Sequence, residues 1–205
     1  MKNKIMLVSL IAVSAIILEI VPAAYANDNI KLAYNQCDYN QALKNSKNLS
    51  KTDLSGANLE GINLKGSNLQ CVNLRGTNLE KANLEGANLK GANLEGANLE
   101  EANLSGTNLE HSNLQYSDLD RANLSKSNLK GANLNFSELD MTSFENADLK
   151  KAKLKYSKLE NTNLKNADLE GANFEGAYIT DVDFSCAKIK CTNFEKATVI
   201  KNNKQ

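Results

Sequence analysis

An apolar residue stands at every fifth position from 49 to 199, without a single change of register. The series has 31 sites, of which 24 are Leu, and the others are Phe, Ile or Val. A period of five fits neither a helix, which repeats every 3.6 residues, nor a strand, which repeats every two. The chain must therefore turn a corner about once per repeat, and this regularity predicts a repeat architecture.

The residues between the apolar sites separate an interior from a surface. The residue two places before the apolar site is Ala, Ser or Thr in 27 of 31 repeats, and the residue directly before the apolar site is Asn or Asp in 24. All 11 Gly lie two residues after an apolar site, where a type II turn requires positive φ. Eight of these Gly precede residue 110. We therefore expect mainly type II corners in the first half and other turn types later, where Lys126, Lys151 and Tyr156 take the site.

The repeating unit resembles the A(D/N)LxX unit of the pentapeptide-repeat family. The resemblance is carried by units such as Ala57-Asn58-Leu59-Glu60-Gly61, Ala87-Asn88-Leu89-Lys90-Gly91 and Ala97-Asn98-Leu99-Glu100-Glu101, and it covers about three quarters of the chain. It implies an all-β fold, a right-handed quadrilateral parallel β-helix with four pentapeptides per coil. The 31 units then form about eight coils.

One face of such a solenoid is acidic when residues are assigned to faces by their position modulo 20. Between residues 58 and 181 this face carries ten acids and three bases, and the opposite face carries an excess of Lys. Six of the acids recur at intervals of 20 and form what we call the acidic column: Glu60, Glu80, Glu100, Asp120, Asp140 and Glu160. The same spacing supports four repeats per coil independently of the resemblance.

Three aromatic residues, again 20 apart, occupy the corner beside this face and form what we call the aromatic strip: Tyr116, Phe136 and Tyr156. Tyr and Phe are frequent in the energetically dominant part of interfaces. We interpret the acidic column and the aromatic strip as a surface that binds a protein partner. The alternatives are a solvated face that resists aggregation and aromatic stacking that stabilises turns lacking Gly.

Residues 1–26 have the pattern of a secretory signal peptide. Lys2 and Lys4 precede an apolar run, and Ala24 and Ala26 supply the small residues of a cleavage site. We expect cleavage before Asn27 and export to the periplasm, the thylakoid lumen or the medium, with no membrane span afterwards. An uncleaved membrane anchor is the alternative.

The two ends of the repeat region, residues 47–200, differ. Residues 27–46 break the period of five, and apolar residues at helical spacing predict a short N-terminal helical cap: Ile30, Ala33, Tyr34 and Cys37. Only a polar tail, residues 201–205, follows the last coil. Some pentapeptide-repeat proteins dimerise end to end there, so we expect a C-terminal homodimer through Phe184, Phe194, Val199 and Ile200.

Export would place the four Cys in an oxidising compartment. Cys71 lies six coils from Cys191, roughly 29 Å at about 4.8 Å per coil. Neither Cys191 nor its neighbour Cys186 can therefore reach Cys71, because a disulfide needs Cα atoms within about 7 Å. The feasible long-range bridge is Cys37–Cys71. Free thiols throughout, or a further pair between Cys186 and Cys191, are the alternatives.

The sequence is poor in features that support catalysis. Its single His, His111, lies at a corner without a Ser or Cys partner, and the straight acidic column does not converge on a cation. We expect no catalytic residue, metal, cofactor or bound nucleic acid. The favoured interpretation is a non-enzymatic exported binding or scaffolding module with a protein partner. The resemblance offers one alternative, a DNA-mimicking protein that binds type II topoisomerases and protects them from quinolones.

Overall fold

The computed structural model describes residues 35–44 and 47–201. Within these ranges the helix α1 (Gln36–Leu43) precedes the repeats. Three strands, β1 (Lys158–Glu160), β2 (Tyr178–Thr180) and β3 (Thr198–Ile200), form a parallel sheet in that order. In these two ranges no helix has the length and apolar character needed to cross a membrane.

Parallel bridges between residues 20 apart define the coil. Asn48 pairs with Asn68, Asn68 with Asn88 and Asn88 with Asn108, and the same spacing recurs on the other three faces. The amide of Leu54 donates to the carbonyl of Asn73 at 2.8 Å, one coil further on. Each coil therefore contains four pentapeptides, and each pentapeptide contributes a bridge and a corner.

The interior is filled by two side chains from each pentapeptide. Leu residues from Leu49 to Leu169 are 0–2% exposed, and Phe144 and Phe174 are fully buried among them. The small residue two places earlier is also buried in most repeats. Where this residue is Ser or Thr, its hydroxyl in most cases donates to a backbone carbonyl. For example, Ser112 Oγ donates to the Leu109 carbonyl at 2.7 Å. Among the described residues no buried side-chain polar atom lacks a hydrogen-bond partner.

The corners have one backbone conformation along the whole solenoid. Every residue at the Gly-favoured site, from Lys51 to Lys196, has φ between 51° and 70°. The expectation of other turn types in the second half is therefore wrong: Lys126 (60°), Lys151 (57°) and Tyr156 (56°) adopt the positive φ of the Gly corners. The physical reason is that the corner amides donate to the next coil, and this bond dictates the turn.

Replacing Lys126 with Gly is expected to raise the free energy of unfolding by about 0.5–1 kcal/mol. The left-handed conformation costs a non-Gly residue about 1–2 kcal/mol, and Gly removes this cost. The greater flexibility of Gly stabilises the unfolded chain by about 0.5–1 kcal/mol and offsets part of the gain. Gln70, one residue before a corner, is exposed and has no positive φ. In urea titrations, Gln70→Gly should therefore lower stability, and a decrease for both variants would contradict the strained-corner interpretation.

The described helix, α1, packs on the first coil. Tyr39 and Ala42 of α1 are buried, at 2% and 0% exposure. The Asp53 amide donates to Asp38 Oδ2 at 2.8 Å, and the Tyr39 hydroxyl donates to the Asn58 carbonyl at 3.3 Å. Of the four predicted cap residues, Ile30, Ala33 and Tyr34 lie outside the described residues, as does the side chain of Cys37.

Candidate functional site

The N-terminal half of the acidic column is largely neutralised by bases of its own face. Lys81 Nζ lies 2.5 Å from Glu80 Oε1, and Arg121 forms ion pairs with both Glu100 and Glu101. Arg121 stands one coil after Glu101, so these pairs join adjacent coils. The column is therefore not the uniform series of repelling charges that the sequence indicates.

The C-terminal half of the column is held by backbone amides instead. The Asp120 amide donates to Asp118 Oδ1 at 3.0 Å, the Asp140 amide to Asp120 Oδ1 at 3.0 Å, and the Glu160 amide to Asp140 Oδ1 at 2.8 Å. The side chains of Asp118, Asp120, Asp140 and Glu160 form no ion pair within residues 47–201. We call Asp118, Asp120 and Asp140, with the neighbouring Glu138, the carboxylate cluster. Glu138 accepts from Lys158 Nζ at 2.8 Å.

Burial raises the pKa of Asp120, and the charges of Asp118, Asp140 and Glu138 raise it further. A carboxyl group with a raised folded pKa stabilises the native state below its unfolded pKa, about 3.9. That contribution is lost as the pH rises through the folded pKa. Asp120 is thus a local cost to folding at neutral pH.

The Asp120→Asn variant should therefore melt at a higher temperature than the wild type at pH 7 and at the same temperature at pH 3. Asn retains an oxygen that can accept the Asp140 amide. Hydrogen bonds from Ser185 lower the pKa of Asp183, so Asp183→Asn should have the opposite effect and destabilise at pH 7. Thermal unfolding at both pH values tests the pair, and a lower melting temperature for Asp120→Asn at pH 7 would count against the explanation.

The aromatic strip is a stack of three exposed rings. The ring centroids of Tyr116 and Phe136 are 5.1 Å apart and those of Phe136 and Tyr156 are 5.2 Å apart, with nearly parallel planes. All three residues have positive φ. The structure therefore brings the predicted strip together, and stacking accounts for part of its stability.

The opposite, Lys-rich face is paired internally. Lys90 lies 2.8 Å from Glu110, Lys150 lies 3.0 Å from Asp168, and Lys188 also contacts Asp168 at 3.2 Å. The ion pairs of this face join acids and bases of successive coils. On the acidic face, three members of the carboxylate cluster, Asp118, Asp120 and Asp140, form no ion pair within residues 47–201, and neither do Glu60 and Glu160.

The structure describes the side chains of three of the four Cys, and none of these three is in a disulfide. Cys71, Cys186 and Cys191 are free and exposed. Cys71 Sγ would lie 3.4 Å from a Cβ added at Gly91, so the thiol points along the corner toward the next coil. The side chain of Cys37 is not described, and the Cys37–Cys71 bridge stays a prediction.

The C-terminal coil exposes part of the interior. Ile189, Val199 and Ile200 are 54%, 64% and 48% exposed, and Phe194 stacks on Phe174 at 5.1 Å. The amides of Phe184, Ile189 and Phe194 find no acceptor within the described residues, although the equivalent amide of Phe174 donates to Asn193 at 2.7 Å. This coil end therefore combines exposed apolar side chains with backbone amides that have no acceptor among residues 47–201.

Several solved structures resemble this one. HetL, involved in heterocyst differentiation regulation in the cyanobacterium Nostoc sp. strain PCC 7120, is 26% identical over 74% of this chain and 78% of HetL, with a TM-score of 0.47. A pentapeptide repeat protein from the Arabidopsis thaliana thylakoid lumen is 27% identical over 69% of this chain and 72% of that chain, with a TM-score of 0.20.

A trypsin-treated form of QnrB1, a plasmid-mediated fluoroquinolone resistance protein, is 16% identical over 71% of this chain and 78% of QnrB1. Its TM-score of 0.52 supports the shared fold, a right-handed β-helix. No curated protein matches the chain significantly. Pentapeptide repeats match residues 48–86, 87–126, 127–166 and 162–198, in eight copies. The chain therefore belongs to the pentapeptide repeat family.

Proposed function

We propose that this chain is a non-enzymatic, exported binding or scaffolding module that engages a protein partner through its aromatic strip and carboxylate cluster. The observation that carries the proposal is the position of the strip. Three neighbouring aromatic residues occupy corners where φ is positive. They lie beside Asp118, Asp120 and Asp140, which form no ion pair in the described part of the chain, whereas Glu138 of the same cluster pairs with Lys158.

The strip is costly for the folded chain taken alone. Each non-Gly corner is strained, and Tyr116, Phe136 and Tyr156 remain 57%, 42% and 46% exposed. Strained residues at a surface point to function when the surrounding structure holds them in place. Stacking between the rings supports the alternative, stabilisation of the turns. Only an interface, however, also uses the exposed ring edges and the adjacent negative charge.

Site-specific photocrosslinking in the producing cell tests the proposal. A benzophenone amino acid at position 136 should crosslink a protein partner, and the same amino acid at position 126, on the opposite corner, should not. Asp140→Lys should reduce crosslinking from position 136. Equal crosslinking from both corners, or none from 136, would show that the strip has no specific partner.

Export is the second part of the proposal, and it rests on the signal pattern of residues 1–26. Cell fractionation with intact-mass measurement should find a chain that begins at Asn27 outside the cytosol. A full-length cytosolic chain would remove this part of the proposal. The same material tests the disulfide: a non-reducing digest should contain a Cys37–Cys71 peptide pair, and alkylation of both thiols would exclude it.

A DNA-mimicking, topoisomerase-binding role is the alternative, and the fold shared with QnrB1 is what favours it. Lys81 and Arg121 weaken this alternative because they neutralise Glu80 and Glu100. DNA would present an unbroken series of charges instead. Protection of purified DNA gyrase from a fluoroquinolone, at stoichiometric concentrations of this chain, would establish the alternative over the proposed function.

We further infer that the solenoid has about eight coils and that α1 caps its first coil. Tyr39 and Ala42 cover apolar side chains there, and Asp38 accepts the otherwise unpaired amide of Asp53. Repeat proteins need such terminal covers to remain soluble. The support for this inference is therefore the set of contacts between α1 and the first coil.

A further inference from the structure

The aromatic strip ends on its N-terminal side at a Gly corner that leaves one ring face uncovered. Gly96 precedes Tyr116 by one coil, and its amide donates to the Gln115 carbonyl at 2.8 Å. A Cβ added at Gly96 would meet nothing within 4 Å. We call the space between the Gly96 corner and the Tyr116 ring the Tyr116 slot.

The direction in which corner side chains lean explains why the slot is open. A Cβ added at Gly176 would clash with Tyr156 Cε1, and one at Gly131 would lie 2.6 Å from His111 Nδ1. Tyr156 and His111 therefore lean toward the coil that follows them. A residue at position 96 would cover Tyr116 in the same way, but Gly has no side chain to do so.

The exposures of the three rings agree with this geometry. Phe136 lies between two rings and is 42% exposed, and Tyr156 lies between Phe136 and the Gly176 corner and is 46% exposed. Tyr116 stacks on Phe136 alone and is 57% exposed. Among the described residues no second ring stacks on Tyr116. The slot can therefore admit one planar group, which would extend the stack.

The negative charge near the Tyr116 slot favours a positively charged planar group as its ligand. Asp118 lies two residues after Tyr116, and its neighbours Asp120, Glu138 and Asp140 complete the carboxylate cluster. Burial raises the pKa of Asp120, and the charges of the other three carboxylates raise it further. An aromatic ring would fit the slot but gain nothing from these charges. A guanidinium is planar, stacks on aromatic faces and donates to carboxylates in a fixed fork.

We infer that the Tyr116 slot binds an arginine side chain of the protein partner, with the guanidinium stacked on Tyr116 and its N–H groups directed to Asp118. This inference rests on the proposed function and adds the chemistry of recognition. A lysine ammonium would satisfy the charge but not the planar slot. The partner segment is therefore expected to prefer arginine to lysine at this point.

Binding of an alternating Arg-Gly decapeptide to the purified full chain tests the inference. With ring-labelled tyrosine, NMR titration should show a saturable shift of the Tyr116 ring and a much smaller shift of Tyr156. The shift should weaken as salt is raised. A Lys-Gly decapeptide should bind several-fold more weakly, and Asp118→Asn should weaken the binding of the Arg peptide.

The Gly96→Tyr variant is the sharpest control because it fills the slot with a fourth ring. It should weaken peptide binding by about fivefold or more. It should also fold, because Tyr116 and Tyr156 already occupy corners with φ of 58° and 56°. Gly106→Tyr is the matched control: Gly106 has φ of +66° and equally open surroundings, on a different corner. It should bind the peptide like the wild type.

Two outcomes would overturn the inference: an Arg peptide that does not shift the Tyr116 ring, or one that binds Gly96→Tyr as tightly as the wild type. Crosslinking from position 136 to a partner, together with either outcome, would leave the proposed function intact and remove only the arginine slot. If position 136 does not crosslink a partner but the Arg peptide still binds at Tyr116, the proposed function would be removed and the arginine-binding slot would remain.

Discussion

The Leu99→Asp variant is expected to show no cooperative unfolding transition at 25 °C. Leu99 is fully buried, with Leu79 one coil before it and Leu119 one coil after it, both also fully buried. Truncating a buried Leu costs about 2–5 kcal/mol, and an unpaired buried carboxylate costs several more. Their sum is comparable to the whole stability of a typical domain, about 5–15 kcal/mol.

Circular dichroism melts of Leu99→Asp and Glu100→Gln compare adjacent residues on opposite sides of the backbone. Glu100 forms a partly exposed ion pair with Arg121. Such pairs contribute about 0–1 kcal/mol, so Glu100→Gln should keep a cooperative transition close to that of the wild type. A folded Leu99→Asp with a similar melting temperature would contradict a closed apolar interior.

A particle of twice the chain mass is the second expected result, in light scattering at micromolar concentration. We propose that two C-terminal coils face each other across a twofold axis, the commonest symmetry of homo-oligomers. Such an arrangement covers the exposed Ile189, Val199 and Ile200, and it offers partners to the amides of Ile189 and Phe194, which have no acceptor among the described residues.

Two variants separate loss of the dimer from loss of the fold. Val199 is 64% exposed, so Val199→Lys should halve the measured mass without changing the melting temperature of the coils. Phe194 is partly buried against Phe174, and Phe194→Lys should halve the mass with some loss of stability. Lys151→Glu, on a distant corner, is the control. A wild-type chain with the mass of a monomer would exclude the dimer.

The interior and the coil period follow directly from the sequence, because both depend on one repeated spacing. The apolar sites predict the buried Leu residues, and the regular recurrence of the acidic column predicts the number of pentapeptides per coil. The corners do not follow, because local turn preference is overridden by hydrogen bonds between coils. Lys126 shows this: its amide donates to the Glu145 carbonyl at 2.9 Å in the same arrangement as a Gly corner.

The candidate site was predictable in its residues but not in its pairing. The column and the strip lie where the spacing places them. The neutralisation of Glu100 by Arg121 depends on how far the side chains reach between coils. The sequence does contain one indication of this pair, because Arg121 follows Glu100 by one coil and one residue. The lean of corner side chains, which opens the Tyr116 slot beside Gly96, depends on backbone geometry and has no such signal.

The bridges between equivalent residues of successive coils limit how such a chain can change length. Insertion of one pentapeptide between Tyr116 and Phe136 would preserve every buried Leu, yet it would move Phe136 and Tyr156 a quarter turn away from Tyr116. Insertion of a whole coil would move them along the axis by about 4.8 Å and leave them on the same corner. The buried interior is therefore preserved when five residues are inserted, but the arrangement of side chains on the surface of the solenoid is preserved only when twenty residues are inserted.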